Sequence, residues 1–288
     1  MGKMDFYYQN HDGEIVYFYG SPFVLTDHTF FDWTLAYTTA NGVSRGFKLQ
    51  PATFNFTLRL VPEKDNMQME HFAQWIQRFL DIVAADGDTP GKLWTTTGDF
   101  MTGRIITSQK SAWRLHRDVT LKCVFQSDYP LWIKPRVHKL EARQISGQEY
   151  LDFPYGFPYG YGEAESGYAV LDNMSTGKAR FILRFGASAD PYILLDGRKI
   201  GVNVSMSGDQ YVEINGIDKT VLLHDGDQVL NVFDRRTKET SVFEPLTPGH
   251  HAVWWNGAFD GSITVYEERR EPLWNCSLHG EMARRNAY

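Results

Sequence analysis

Most of this chain alternates, and that limits what it can fold into. Phe54, Phe56, Leu58 and Leu60 interleave with Thr53, Asn55, Thr57 and Arg59, the pattern of a strand with one buried face. One stretch breaks the habit. Over residues 67–84 the apolar set Met69, Phe72, Trp75, Ile76, Phe79, Leu80 and Val83 falls at helical spacing, with Gln68, Gln74, Gln77, Arg78 and Asp81 opposite. The spacing predicts one amphipathic helix of four to five turns. It buries its Phe72, Trp75, Ile76 and Phe79 face on its own sheet and stops at Asp86-Gly87-Asp88-Thr89-Pro90-Gly91. Strand-like runs at Leu93–Thr97 and Val119–Phe125 follow, so the first half reads as α+β within a mainly β chain.

The second half shows short strands between turn signals: 181–185, 192–195, 211–214, 220–224, 229–233, 252–255 and 262–266, with Asp196-Gly197 and Asp225-Gly226 as hairpin turns. Seven or more strands at this spacing predict a β-sandwich. Between the halves, Phe153-Pro154-Tyr155-Gly156 repeats as Phe157-Pro158-Tyr159-Gly160 before Tyr161-Gly162. Its prolines and glycines exclude a central strand and a stable helix. With 288 residues, two domains are expected: residues 1–148, a linker at 149–165, a sandwich at 166–274 and a tail at 275–288.

Charge removes several functions. The net charge is −6, and residues 1–140 carry 15 Lys and Arg against 14 Asp and Glu. No basic stripe marks a nucleic-acid-binding body, so sequence-specific nucleic-acid binding is not expected. Cys123 and Cys276 are the two cysteines, too far apart for a zinc motif and too few for a disulfide framework. The start has no apolar leader and no run approaches eighteen apolar residues, so neither secretion nor a membrane span is expected.

Catalytic patterns fare poorly. Gly87 to Gly91-Lys92 lacks the spacing of a phosphate loop, and Leu93 stands where Ser or Thr is needed. His224-Asp225-Gly226-Asp227 lacks a calcium-loop continuation. Glu267-Glu268 alternates in face, and no nucleophile elbow or His-Glu-x-x-His is present. No catalytic residue, metal site or cofactor is expected. The most suggestive cluster is His250, Trp254, Trp255 and Asn256, a candidate glycan or docking surface. Alternation turns one of the two tryptophans outward, where with His250 and Asn256 it can stack on a sugar ring.

The order of weak signals carries a resemblance. Leu121-Lys122-Cys123-Val124-Phe125-Gln126-Ser127-Asp128-Tyr129-Pro130-Leu131-Trp132 is similar to the last strand and aromatic-proline step of the ring domain in distal tail proteins of long-tailed, non-contractile bacteriophages. The aromatic segment at 153–161 is similar to their junction. Phe181-Ile182-Leu183-Arg184-Phe185-Gly186, Asp190-Pro191-Tyr192-Ile193, Gly208-Asp209-Gln210-Tyr211-Val212-Glu213-Ile214, Lys219-Thr220-Val221, Phe243-Glu244-Pro245-Leu246-Thr247-Pro248-Gly249-His250 and Glu271-Pro272-Leu273-Trp274 resemble the family's galectin-like sandwich. His250 stands where the family usually has Asn.

The resemblance implies a split β-barrel ring domain followed by a galectin-like sandwich, in a structural virion protein with no enzymatic activity. It implies a hexameric ring at the end of the tail tube, assembled in the bacterial cytoplasm. The implied partners are the tail tube protein, the tail tip or baseplate hub, and receptor-binding or fibre proteins, with a lumen for DNA. A closed ring needs two different sticky flanks per subunit, and the strand at 53–60 is a candidate edge. Two alternatives stay open: a sandwich that binds host cell-wall glycan, and a tail-tube or baseplate component of a related injection machine.

Overall fold

The computed structural model describes residues 4–61, 69–111, 119–142 and 167–272, without the side chains of residues 69–72. The fold is mainly β with one α-helix among the described residues. Two compact units divide it: one runs to Lys134 and resumes at Arg269, the other is Pro135–Glu268. Both crossings fall inside strands. The predicted linker at 149–165 and the tail at 275–288 lie outside the described residues.

The first unit contains β1 (Phe6–Gln9), β2 (Ile15–Tyr17), β3 (Phe23–His28), β4 (Leu35–Ala40), β5 (Val43–Leu49), β6 (Ala52–Leu60), α1 (Met69–Ala84), β7 (Gly91–Thr95), β8 (Phe100–Lys110), β9 (Thr120–Ser127) and the start of β10 (Trp132–Leu140). All its pairings are antiparallel. The long β8 serves two sheets: its first residues pair with β7, which leads to β1 and β2, and the rest pairs with β9, which leads to β6 and β3. The Leu25 amide donates to the Phe18 carbonyl at 2.8 Å and closes the two sheets into a barrel. The interior is aromatic: Phe6, Phe18, Phe30, Phe54, Phe56 and Phe125 are all buried. Phe6 and Phe30 stand 5.2 Å apart and Phe30 and Phe56 5.3 Å, as tilted pairs. One expectation is corrected here. The alternating strand at 53–60 is β6, hydrogen-bonded to β3 on one side and β9 on the other, so it offers no edge. Period two reports a buried face and says nothing about neighbours in the sheet plane.

The predicted helix forms as α1 and covers the barrel with Ile76, Phe79 and Ile82, which are buried; Trp75, Leu80 and Val83 are half-buried. Phe79 sits 5.5 Å from the Phe23 ring. The Phe72 side chain lies outside the described part. Burying the three side chains contributes about 1.5–3 kcal/mol each. Two residues past the helix, Asp86 turns inward. Its carboxylate is fully buried and accepts the Tyr8 hydroxyl proton, the His11 amide at 2.8 Å and the His11 ring at 2.9 Å. Burial first, then this hydrogen bond, raises the Tyr8 pKa. The clamp ties the end of α1 to β1.

The second unit adds β11 (Gly167–Asn173), β12 (Arg180–Phe185), β13 (Tyr192–Leu195), β14 (Arg198–Gly201), β15 (Tyr211–Asn215), β16 (Thr220–Asp225), β17 (Gln228–Asn231), β18 (Gly249–Trp255) and β19 (Gly261–Arg269). One sheet runs β11-β18-β13-β14 and the other β17-β16-β15-β12-β19. Alternate residues of each, such as Leu171, Ile193 and Val253 against Phe181, Leu183 and Val265, fill a shared core that Leu140 of β10 joins. This is a β-sandwich. Asp196-Gly197 connects β13 to β14, and β16 and β17 form a hairpin across Gly226-Asp227.

Candidate functional site

The predicted polar-aromatic cluster lies on β18, where alternation separates its members. Trp254 is 44% exposed and Trp255 only 6%. His250 faces outward with Nδ1 2.5 Å from Asp172 of β11, its register partner. His251 is buried, with Nδ1 2.6 Å from the Asp196 carboxylate and Nε2 2.7 Å from the Thr247 carbonyl, so both ring nitrogens serve the fold. Asn256 lies in the following turn and accepts the Ala258 amide at 3.2 Å. Of the four predicted residues, His250 and Trp254 therefore share one face, Trp255 belongs to the core and Asn256 caps a turn. The missed partner is Tyr168, opposite Trp254 in register with ring centroids 4.4 Å apart. Exposed Val170 follows along the strand. This face is apolar at one end, where Trp254 and Tyr168 can stack on a flat ring or meet a protein, and carries the His250–Asp172 pair at the other.

The other patterns resolve into structure. Glu267 is buried, 3.0 Å from Arg136, and accepts the Met174 amide; Glu268 pairs with Arg180 at 3.0 Å. The two carboxylates serve separate partners and do not converge. His224 stacks on Tyr211 with centroids 4.4 Å apart. In the loop from Gly87, the Gly87 and Asp88 carbonyls accept protons from the Arg104 guanidinium, an arrangement that binds a cation and not a phosphate. Burial pushes the Cys123 thiol up to about 11; Cys276 lies outside the described residues. Among the described residues no group of three His, Cys, Asp or Glu is placed to hold a metal ion. Two open cavities among the described residues, of 360 and 460 Å³, carry Asp209, Tyr211 and Asp260 in one and Asp234 and Arg235 in the other, with no His, Cys or Ser in either lining.

The first unit carries two surfaces that no motif flagged. One is the β4–β5 hairpin, whose strands pair with each other in a sheet of their own. Asn41 and Gly42 both have positive φ, 53° and 75°, which a tight two-residue turn of matching twist requires. Gly46 at φ 65° supplies a bulge: Gly46 and Phe47 together oppose Tyr37. Register then places Leu35, Tyr37, Phe47 and Leu49 on one face and Ala36, Thr38, Arg45 and Lys48 on the other. Tyr37 and Phe47 pair at 5.6 Å, yet each is 58% exposed.

The other surface is an aromatic ladder across four strands. Tyr17 of β2, Tyr7 of β1, Trp94 of β7 and Phe100 of β8 are successive register partners. Their ring centroids lie 5.8, 6.0 and 4.7 Å apart in that order. Tyr19 adds a fifth ring 5.3 Å from Tyr17. Burial raises the Tyr7 pKa, with Tyr17 and Tyr19 adding to it. The Trp94 indole donates to Gln9 at 3.0 Å, and the Lys92 ammonium lies 5.0 Å from the Phe100 centroid.

No family model matches the sequence, and no curated protein matches it. Solved structures do. The chain is similar to the Dit protein (gp 19.1) of phage SPP1, described as a hub adsorption apparatus in phages infecting Gram-positive hosts, with a TM-score of 0.55 and 11% identity over 93% of this chain and 99% of that one. It is similar to a chain of the phage P2 baseplate in its activated conformation with calcium, with a TM-score of 0.63 and 12% identity over 94% of this chain and 100% of that one. The strontium form of that baseplate gives the same values. At this identity the likeness establishes a shared fold across nearly the whole chain.

Proposed function

We propose that this protein is a structural hub of a bacteriophage tail tip, a hexameric ring joining the tail tube to the tip or baseplate. The barrel unit surrounds a lumen for DNA, and the sandwich offers a platform for receptor-binding or fibre proteins. The observation that carries the reading is a fold match covering essentially the full length of a phage hub protein and of a baseplate chain. Two further observations agree with it. The first unit exposes apolar rings at two separate places, Tyr37 and Phe47 on the β4–β5 hairpin and Tyr17 on β2, and a closed heterologous ring requires two different flanks on each subunit. The ionisable pairs of the candidate site are spent on structure, with no converging catalytic set among the described residues. Native mass spectrometry and negative-stain imaging of the purified protein test the ring: annular hexamers are expected, and a strictly monomeric species at about 50 μM protein would overturn the reading.

The exposed Tyr168–Trp254 pair favours one second reading, adhesion of the sandwich to host cell-wall glycan through Trp254 and His250. Substitution Trp254→Ala is expected to leave folding intact because the ring is half in solvent. If the intact protein binds a glycan array, that binding should vanish in Trp254→Ala; unchanged binding refutes this site.

A further inference from the structure

We propose that Asn41, at the tip of the β4–β5 hairpin, is a site of spontaneous covalent modification, deamidating to aspartate and isoaspartate through its bond to Gly42. This chemistry belongs to the single chain and is independent of the ring reading.

Deamidation begins when the amide nitrogen of the next residue attacks the asparagine Cγ. A new C–N bond closes a five-membered succinimide, and the carboxamide nitrogen leaves as ammonia. Water then adds to one of the two ring carbonyls and opens the ring, leaving a carboxylate on either a normal or an isomerised backbone. No oxidant, metal or cofactor enters. The reaction asks for a glycine in second place, with no Cβ to obstruct the attack, and for a nitrogen and a carboxamide that are both free.

Three Asn-Gly pairs occur in the sequence, Asn41-Gly42, Asn215-Gly216 and Asn256-Gly257, and the fold separates them. The Gly216 amide donates to the Phe181 carbonyl at 2.9 Å, and Asn215 Oδ1 accepts the Ile217 and Asp218 amides at 2.9 and 3.0 Å. Gly257 is buried, and Asn256 Oδ1 accepts the Ala258 amide. Asn41 and Gly42 are both exposed, and a Cβ on Gly42 would meet nothing within 4 Å. Among the described residues, neither the Asn41 carboxamide nor the Gly42 amide has a hydrogen-bond partner.

The hairpin also sets how easily the ring closes. The succinimide contains the Asn41 Cα–C bond and holds its torsion outside the range of a tight turn, so the tip must open before the nitrogen reaches Cγ. A two-stranded hairpin alone is marginal in water. This one has no third strand, and Tyr37 and Phe47 on its apolar face are more than half exposed. Its opening therefore belongs at the low end of the local unfolding scale. By contrast β15 and β16, which flank Asn215, and β18, which precedes Asn256, each have a neighbour on both sides.

The product alters the hairpin. Residues 35–49 carry Arg45 and Lys48 and no acid, so the tip gains the segment's first carboxylate. Isoaspartate lengthens the backbone of a two-residue turn that sets the pairing of Ala40 with Val43 and Thr39 with Ser44, and β4 and β5 lose their register.

The experiment incubates the full chain in ¹⁸O-enriched water, in mildly acidic and mildly alkaline buffer, and follows its peptides by mass spectrometry with fragmentation that distinguishes isoaspartate. Aspartate and isoaspartate, each with a heavy oxygen, are expected at position 41 at least about tenfold faster than at positions 215 and 256, because the tip opens more cheaply. The rate should rise in alkali, where the attacking amide gives up its proton more readily. A second preparation carries Thr39→Cys with Ser44→Cys, at register partners beside the turn. Its oxidised form ties the tip shut and should slow position 41 at least about fivefold, with the other two positions unchanged and the rate restored by reduction. Modification at position 41 no faster than at 215 and 256 overturns the site, and a rate that the crosslink leaves untouched overturns the route through the opened tip.

Discussion

Replacing Asp86 with alanine should uncouple the end of the helix from the barrel. The carboxylate is fully buried and accepts from the Tyr8 hydroxyl, the His11 amide and the His11 ring. Removing it takes the partner from the His11 amide and leaves the Tyr8 hydroxyl with only the Gly103 carbonyl at 3.4 Å. At about 1–3 kcal/mol for each donor that loses its carboxylate partner, the loss is about 3–5 kcal/mol. Asp86→Asn keeps the shape and one acceptor oxygen and should cost about 1–2 kcal/mol. Tyr8→Phe leaves the carboxylate short of one donor at about 2 kcal/mol, and combined with Asp86→Ala it should be clearly less than additive, because the second change removes a group already stranded. For a unit of this size each kcal/mol moves the midpoint by about 2–4 °C, so Asp86→Ala should lower it by about 6–20 °C. Calorimetry with urea unfolding followed by circular dichroism measures this, and the sandwich, with its own core, serves as the reference. An Asp86→Ala protein within about 1 kcal/mol of the parent would refute the reasoning, because it would mean that the stranded donors find water.

Acid should weaken the barrel through His28. Its ring lies 5.0 Å from those of Phe30 and Phe31, and its Nδ1 accepts the Phe30 amide at 3.3 Å. Burial lowers its pKa below 6.5 against the opposing pull of Asp27 and Asp32. The stability is therefore fully present above pH 6.5 and is lost as pH falls through the depressed value; His28→Phe should flatten the barrel's stability profile between about pH 7 and 5. Cys123 is the alkaline counterpart: with its pKa pushed from 9.0 to about 11, its contribution is intact below pH 9 and is lost as pH rises towards 11. A thiol reagent at pH 8 should leave Cys123 unmodified until urea unfolds the barrel. Gly103→Ala would put a Cβ 2.3 Å from the Gln126 carbonyl and 2.5 Å from the Phe125 ring; chemical denaturation should show a loss of about 1–3 kcal/mol or more.

Legibility in the sequence followed local information. The strand at 53–60, the helix, and the split of His250 from His251 and Trp254 from Trp255 were legible because each rests on one periodicity. Ile82 escaped the predicted helix face because Leu80 and Val83 already complete the stripe, and which of them touches the barrel depends on how the helix is seated. The β4–β5 hairpin escaped because neither strand has a core face: Tyr37-Thr38-Thr39-Ala40 carries no clean alternation. Asp86 read as a turn residue, since its partner Tyr8 is 78 positions away. The ladder was invisible for a related reason. Tyr7, Tyr17, Trp94 and Phe100 are ordinary strand residues until register sets them side by side, and register comes from pairings that a single chain does not print.

The closure between β2 and β3 has a mechanical consequence. Elsewhere around the barrel, breaking a junction means shearing several rungs together, but between these two strands the described residues share one amide-to-carbonyl link, Leu25 to Phe18. That line is the cylinder's slit. Its girth can widen by giving up a single rung, so breathing should start there and the Leu25 amide should trade its proton for deuterium well before those of β6 and β9.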